Sequence, residues 1–269
     1  MTDKYCVIGN PIAHSKSPEI HPRYAAQTGQ DLVYERCLAP LDGFEATVRR
    51  LVAEGYRGAN VTLPFKLEAV RVCTRLEERA RAAGAVNTLV FADGEIVGDN
   101  TDGPGLVADI TRNAGVAIRG KRVLLLGAGG AARGALLPLV QEGPRGIVIA
   151  NRTVATAEAL ARDFSRHGVP IAASGFAQVE GGFDIVINAT SGSIAGEVPQ
   201  VPATVFGPDA LALDMMYGNK PTVFMDFAAS HGATVRDGLG MLVEQAAEAF
   251  AIWRGVRPAT ADVLTMMRP

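Results

Sequence analysis

Short apolar runs alternate with longer segments of helical periodicity along almost the whole chain. "KYCVIG", "LVYERC" and "GANVTL" have strand length and strand composition. Each leads into an amphipathic stretch, and the spacing predicts helices over 17–28, 41–54 and 66–74. "NTLVF" and "EIVGD" flank "ADG", a hairpin signature. A second series follows. "RVLLLGAG" is apolar without alternation, as in a strand buried on both faces. A helix, the strand "GIVIAN", another helix and the strands "FDIVIN" and "ALALDM" continue it. The segment "GLGMLVEQAAEAFAIWRG" predicts a helix with Leu242, Ala246, Ala249, Phe250 and Trp253 on one apolar face, and it follows no strand of its own.

Alternating strands and helices predict an α/β protein built of βαβ units with mainly parallel sheets. The turn-rich "GDNTDGPG", residues 98–105, separates the two series. The expected organisation is two αβα domains. One is 1–102 with 239–269, the last helix packing back on it, and the other is 103–238.

Composition narrows the function classes. The chain is 48% hydrophobic and 20% charged, with a formal charge of −2 and no basic block. That argues against a nucleic-acid or membrane-surface partner. Cys6, Cys37 and Cys73 are odd in number, widely spaced and free of C-x-x-C pattern, which points to free thiols in a reducing compartment. No signal-peptide pattern and no membrane-length apolar run is present, so the expected location is cytoplasmic. His14, His21, His167 and His231 do not stand at metal-ligand spacings, and no metal site is expected.

Seven stretches carry candidate chemistry. Gly127, Gly129, Gly130 and Ala132 fit G-x-G-x-x-A between a buried strand and a helix, where backbone N–H groups and the helix N-terminus hold a pyrophosphate. At the end of the next strand Asn151 and Arg152 stand where an acidic residue would read a ribose hydroxyl. A guanidinium there suits a 2′-phosphate, hence NADP over NAD. Lys66 is placed at a helix N-terminus, where the macrodipole opposes its charge and a nearby carboxylate would restore it. A general acid/base and an exposed lysine in an imperfect first turn are equally good accounts. Asp102 reads as the N-cap of the helix carrying Leu106, Val107 and Ile110. Asn87 reads as a turn residue, and Gln245 as an amide on the buried side of the last helix. In "HSKSP", Ser17 is a preferred N-cap and Pro18 suits the first helical position.

Together, "GNPIAHSKSPEIH", "NVTLPFK", "AGAVNTL", "GDNTDGPG", "GAGGAARG", "NRT", "INATS", "DMMYG" and "DGLGMLVEQAAEAF" resemble, in order and spacing, the motifs of shikimate dehydrogenases. The resemblance spans nearly the whole chain. It implies an N-terminal substrate domain, a Rossmann-type NADP domain, and interconversion of 3-dehydroshikimate and shikimate in aromatic amino-acid biosynthesis. It implies that Ser15 and Ser17 bind the substrate carboxylate with Tyr217 nearby, and that Thr62, Asn87, Asp102 and Gln245 contact ring hydroxyls. Lys66, paired with Asp102, becomes the acid/base. Gly127, Ala128, Gly129, Gly130 and Ala131 take the pyrophosphate, and Asn151, Arg152 and Thr153 the adenosine phosphate end. Met215 and Gly238 fall by the nicotinamide, and Glu78 is a further cofactor candidate.

Two departures stand out. "NRTVAT" carries Thr156 where the family often has a second basic residue, and the glycine of "NATSGS" comes one place early. The competing readings are a quinate/shikimate dehydrogenase using NAD, an enzyme for an amino-substituted analogue, and a nucleotide-sensing module without catalysis. The expected partner is a small-molecule substrate, for a monomer or homodimer.

Overall fold

The structure is a computed structural model that describes residues 2–268. It divides into two compact units, residues 2–105 with Val243–Met267, and Leu106–Leu242 with Arg268.

The first unit contains β1 (Asp3–Gly9), α1 (Ser17–Thr28), β2 (Leu32–Leu38), α2 (Phe44–Ala53), β3 (Tyr56–Val61), the single turn α3 (Ala69–Val72), β4 (Arg75–Leu76), α4 (Glu78–Ala83), β5 (Thr88–Ala92) and β6 (Glu95–Asp99). The strand order is β2-β1-β3-β5-β6-β4. β1 runs parallel to β2 and β3, and β4 parallel to β6, while β5 is antiparallel to β3 and β6. The β5–β6 hairpin turns on Asp93 and Gly94, both at positive φ (53° and 79°), as a type I′ turn requires. Alternation on β1 feeds two cores. Cys6 and Ile8 pack with Phe44, Val48 and Leu51 on one face, and Tyr5 and Val7 pack with Tyr34 and Trp253 on the other.

The second unit contains β7 (Arg122–Leu126), α6 (Gly130–Gln141), β8 (Gly146–Ala150), α7 (Val154–Phe164), β9 (Ile171–Ser174), β10 (Phe183–Asn188), β11 (Phe206–Asp214), α8 (Val223–Ser230) and β12 (Thr234–Arg236). Its order is β12-β11-β10-β7-β8-β9, with every pairing parallel. This is the doubly wound order with its switch point between β7 and β10. Val123–Leu126 is fully buried, so both faces of the sheet are covered, as the unbroken apolar run predicts. Two helices cross the division between units: α5 (Asp102–Ala108), which continues as a π-helical stretch Asp109–Asn113, and α9 (Leu239–Arg254). α10 (Ala261–Met267) follows in the first unit.

Three local expectations are corrected. The helix expected over 66–74 shrinks to Ala69–Val72, and Lys66 lies in a turn. Its carbonyl accepts from Val86 N–H at 2.9 Å and is thereby diverted from the acceptor role a helix would give it. The helix expected from Leu41 begins at Phe44, because Gly43 N–H first closes a turn onto Pro40 O at 3.0 Å. α9 does follow a strand, the three-residue β12. The three cysteines are free thiols, as expected.

Candidate functional site

In the first unit the site grows from the C-terminal ends of β1 and β3 and from the hairpin strands. Pairing places Gly9–Asn10 beside Thr62–Leu63, through Thr62 N–H to Ile8 O (2.9 Å) and Asn10 N–H to Leu63 O (3.1 Å). The turn after Thr62 carries Lys66 back toward the end of β6. There its Nζ meets Asp102 Oδ2 at 2.6 Å, with the two side chains 30% and 24% exposed. Asp102 is the first residue of α5, and its carboxylate is spent on Lys66 and Asn87, so it does not act as the expected N-cap.

Asn87 is the hub. Its Nδ2 donates to Asp102 Oδ1 (2.9 Å), Thr101 Oγ1 (3.0 Å) and Gln245 Oε1 (3.3 Å). Its Oδ1 accepts from Thr101 N–H (2.8 Å) and Thr88 Oγ1 (2.9 Å). Asn87 is only 3% exposed, so this full engagement is what makes the buried amide tolerable. Asp99 secures the same corner: it takes a two-pronged bond from Arg79 (3.0 and 2.6 Å) and accepts from Asn100 N–H at 2.7 Å.

Tyr34 joins this network from the other side. Its phenol donates to Asn60 Oδ1 at 2.7 Å. Asn60 Nδ2 then donates to Asn87 O and Thr88 Oγ1, both at 3.2 Å. Burial raises the Tyr34 phenol well above its ordinary pKa, so it stays a neutral donor. A continuous polar path therefore links Tyr34 to Lys66. Tyr34, Asn60, Thr88 and Thr101 carry no motif weight of their own and were not singled out in the sequence.

The serine cap is corrected here. Lys16 occupies the N-cap position, no side chain caps α1, and Ser17 is helical and 7% exposed. Ser15 Oγ accepts from Ser17 N–H at 3.4 Å, and Arg36 holds the Ser15 carbonyl at 2.7 Å. Lys16 pairs with Glu19 at 3.5 Å. Thr62 is half-buried at the end of β3.

In the second unit a cavity of about 760 Å³ opens at the C-terminal ends of β10, β7, β8 and β9. Its floor is the turn Gly127–Ala131. Gly127 sits at φ 101°, where any side chain would be strained, and a Cβ would also press on Thr190 at 3.2 Å. Cβ atoms on Gly129 or Gly130 would meet nothing within 4 Å and would project into open space. Gly129 caps α6, whose first N–H groups have no acceptor within the helix. An open cradle of backbone donors at the start of a twelve-residue helix fits a pyrophosphate.

Asn151 and Arg152 line the same cavity, and Arg152 is exposed without an ion-pair partner among the described residues. A guanidinium so placed fits the phosphate of NADP. Together with Val154, the segments Gly175–Gln178, Ala189–Gly192 and Glu197–Gln200 complete the lining. The first and last of these were missed, because β9 is four residues long and Glu197–Gln200 is irregular. Thr153, Met215, Gly238 and Glu78 stand outside that lining. Thr153 is the N-cap residue of α7, Glu78 opens α4 in the first unit, and Met215 follows β11. Tyr217 is 41% exposed beyond Met215, and Gly238 donates to Met216 O at 2.9 Å.

Comparison with known proteins identifies the family. The shikimate dehydrogenase substrate-binding domain matches residues 7–89, the shikimate/quinate 5-dehydrogenase domain 109–195, and the shikimate 5′-dehydrogenase C-terminal domain 238–265. The chain is 63% identical over 267 residues to the shikimate dehydrogenase (NADP(+)) of Janthinobacterium sp. (strain Marseille), covering 99% of this chain and 97% of the relative. Among solved structures it resembles an Ael1 enzyme from Pseudomonas putida, at 49% identity and TM-score 0.95, covering 100% of this chain and 99% of that one. It also resembles the Thermus thermophilus shikimate 5-dehydrogenase in complex with NADP(H) and shikimate, at 30% identity and TM-score 0.83, covering 98% of each. The chain belongs to the shikimate dehydrogenase family.

Proposed function

We propose that this chain catalyses the reversible, NADPH-linked reduction of 3-dehydroshikimate to shikimate. The observation that carries the reading is the Lys66–Asp102 pair at 2.6 Å, fixed by Asn87 within a buried polar path. A dinucleotide held at the Gly127–Ala131 turn would supply the hydride for reduction and would accept it in oxidation.

This chain's residues bind, orient and move the proton. Lys66 Nζ, as ammonium, donates a proton to the oxygen that becomes the hydroxyl, and takes one from it in oxidation. Its side chain keeps partial solvent contact, so the spent proton is replaced from water. Asp102 holds Nζ in one direction and stabilises its charge. Asn87 and Gln245 orient the ring hydroxyls together with Asp102 and Thr62. Ser15 and Ser17 donate to the substrate carboxylate, with Tyr217 as a third donor. Gly127–Ala131 hold the pyrophosphate by backbone N–H groups, and Asn151, Arg152 and Thr153 hold the 2′-phosphate end. Met215 and Gly238 adjoin the nicotinamide, and Glu78 is an outlying cofactor contact. The domain of residues 1–102 with 239–269 binds substrate, and that of 103–238 binds cofactor.

The assignment to aromatic amino-acid biosynthesis in the cytoplasm fits a chain whose described helices include none long and apolar enough to cross a membrane. Its working form is a monomer or homodimer. The test is dinucleotide reduction with shikimate and with quinate, each against NADP and NAD. The shikimate–NADP pair should give the highest kcat/KM. A preference for quinate, or for NAD, would overturn the assignment of substrate or of cofactor.

A further inference from the structure

Asp214 ends β11, is fully buried, and has no cationic partner among the described residues. A carboxylate in that position is costly unless hydrogen bonds replace its water. Three do so. Ser193 Oγ and Thr222 Oγ1 each donate to Oδ2 at 2.6 Å, and Met216 N–H donates to Oδ1 at 3.0 Å. Two hydroxyls converging on one oxygen call for an acceptor with two open lone pairs, which a carboxylate oxygen supplies.

The donors come from three separate segments. Ser193 belongs to the loop after β10, in which Ala189–Gly192 line the dinucleotide cavity. Asn188 stiffens that loop by accepting from Thr190 N–H (3.1 Å) and Thr190 Oγ1 (2.7 Å), and by donating to Ser193 Oγ (3.3 Å). Thr222 caps α8, accepting from Met225 N–H at 3.2 Å. Met216 lies between Met215 and Tyr217. This short segment is also pinned by Met215 N–H to Asn188 O (3.0 Å) and by Gly238 N–H to Met216 O (2.9 Å). The approach of Gly238 is so close that a Cβ there would collide with Met215 O.

We propose that Asp214 is a positioning residue that, through Ser193, locks the cavity wall at Ala189–Gly192 and the Met215–Tyr217 segment into one register. The nicotinamide end of the dinucleotide and the substrate-side tyrosine are thereby presented in fixed relation. This rests on the function proposed above. The adenosine phosphate end, held at Asn151 and Arg152 on the other side of the switch point, does not depend on Asp214.

The test is Asp214→Asn, of the same size, with Ser193→Ala as a milder variant that removes a single arm and leaves the carboxylate in place. An amide nitrogen at the Oδ2 position cannot accept from either hydroxyl. Asp214→Asn should lower kcat with NADP at least about 10-fold, since each lost charge-assisted hydrogen bond is worth about that much or more. The primary isotope effect with shikimate deuterated at the reacting carbon should rise, and 2′,5′-ADP affinity should stay at the parent value. Ser193→Ala should move kcat and the isotope effect the same way by less. Two results overturn the proposal. One is a lowered Tm with unchanged kcat, KM and isotope effect in both variants; the other is a parallel loss of 2′,5′-ADP affinity, which would make Asp214 a mere support of the cavity. Lack of shikimate oxidation by the unmodified chain would instead remove the proposed function itself.

Discussion

The two units solve the problem of holding a polar ligand in opposite ways. In the first, the site is made of side chains that already satisfy one another. Lys66, Asp102, Asn87, Thr101 and Gln245 form a closed set of bonds, continued through Asn60 to Tyr34. In the second, the site is made by leaving side chains out. Gly129 and Gly130 present backbone donors to open space, and Asn151, Arg152 and Thr190 are among the polar side chains that line the cavity around them. A site built of mutually bonded side chains is sensitive to removal of atoms, because each loss leaves a buried partner unsatisfied. A site built of bare backbone is sensitive to added atoms.

That contrast can be broken by experiment. The largest expected effect is Lys66→Ala. Loss of the acid/base should lower kcat by about 10²- to 10⁴-fold, with substrate KM changing little. A kcat close to the parent's would remove Lys66 from the chemistry. Next is Ser15→Ala with Ser17→Ala. A hydrogen bond to a charged group is worth about 1.5–3 kcal/mol, so shikimate KM should rise at least about tenfold, with NADP KM nearly constant. A change confined to NADP would place these serines at the wrong ligand.

Gly129→Val tests the other mode, since it removes nothing and only fills the cradle. Overpacking costs about 1–3 kcal/mol, and at an open site the lower part of that range gives a rise of about five- to tenfold in NADP KM. Shikimate KM should hold, and a variant indistinguishable from the parent would show that the pyrophosphate lies elsewhere.

The smallest effect concerns stability and belongs to the first unit alone. His21 is buried and stacks on Tyr34 with ring centroids 4.2 Å apart. Burial disfavours its imidazolium and lowers its pKa from 6.5 to about 3. Between these values the unfolded chain binds the proton and the folded chain does not. Stability therefore falls as pH drops from about 6.5 toward 3. His21→Phe keeps an aromatic ring beside Tyr34 and removes the proton. Its Tm should decline less over the same acid range, as followed by thermal melts, and an identical decline would mean that other groups set the acid limit.

Much of the architecture was legible before any coordinates. The β7–turn–α6 unit announces itself through a fully apolar strand and consecutive glycines, and the hairpin through Asp93–Gly94. α9 is readable from its apolar spacing. These signals are local: backbone conformation and burial periodicity lie within a dozen residues of one another. β4, β9 and β12, of two, four and three residues, were not legible, since strands so short exist only because a neighbouring strand supplies their hydrogen bonds.

At the site the same division holds. The sequence alone determined the glycine cradle, the helix from Ser17 and the residue types able to do acid/base chemistry. It left Lys66 undecided between a catalytic group and a surface charge, and it placed the lysine at a helix terminus that does not exist. Only the tertiary structure brought Asp102, 36 residues away, to 2.6 Å from its ammonium. The Asn87 hub, the path through Tyr34 and Asn60, and the buried carboxylate of Asp214 were decided there as well. The physical reason is that a hydrogen bond between side chains depends on position in space. Local propensity fixes a residue's backbone, but its partner is chosen by the order in which strands assemble into a sheet.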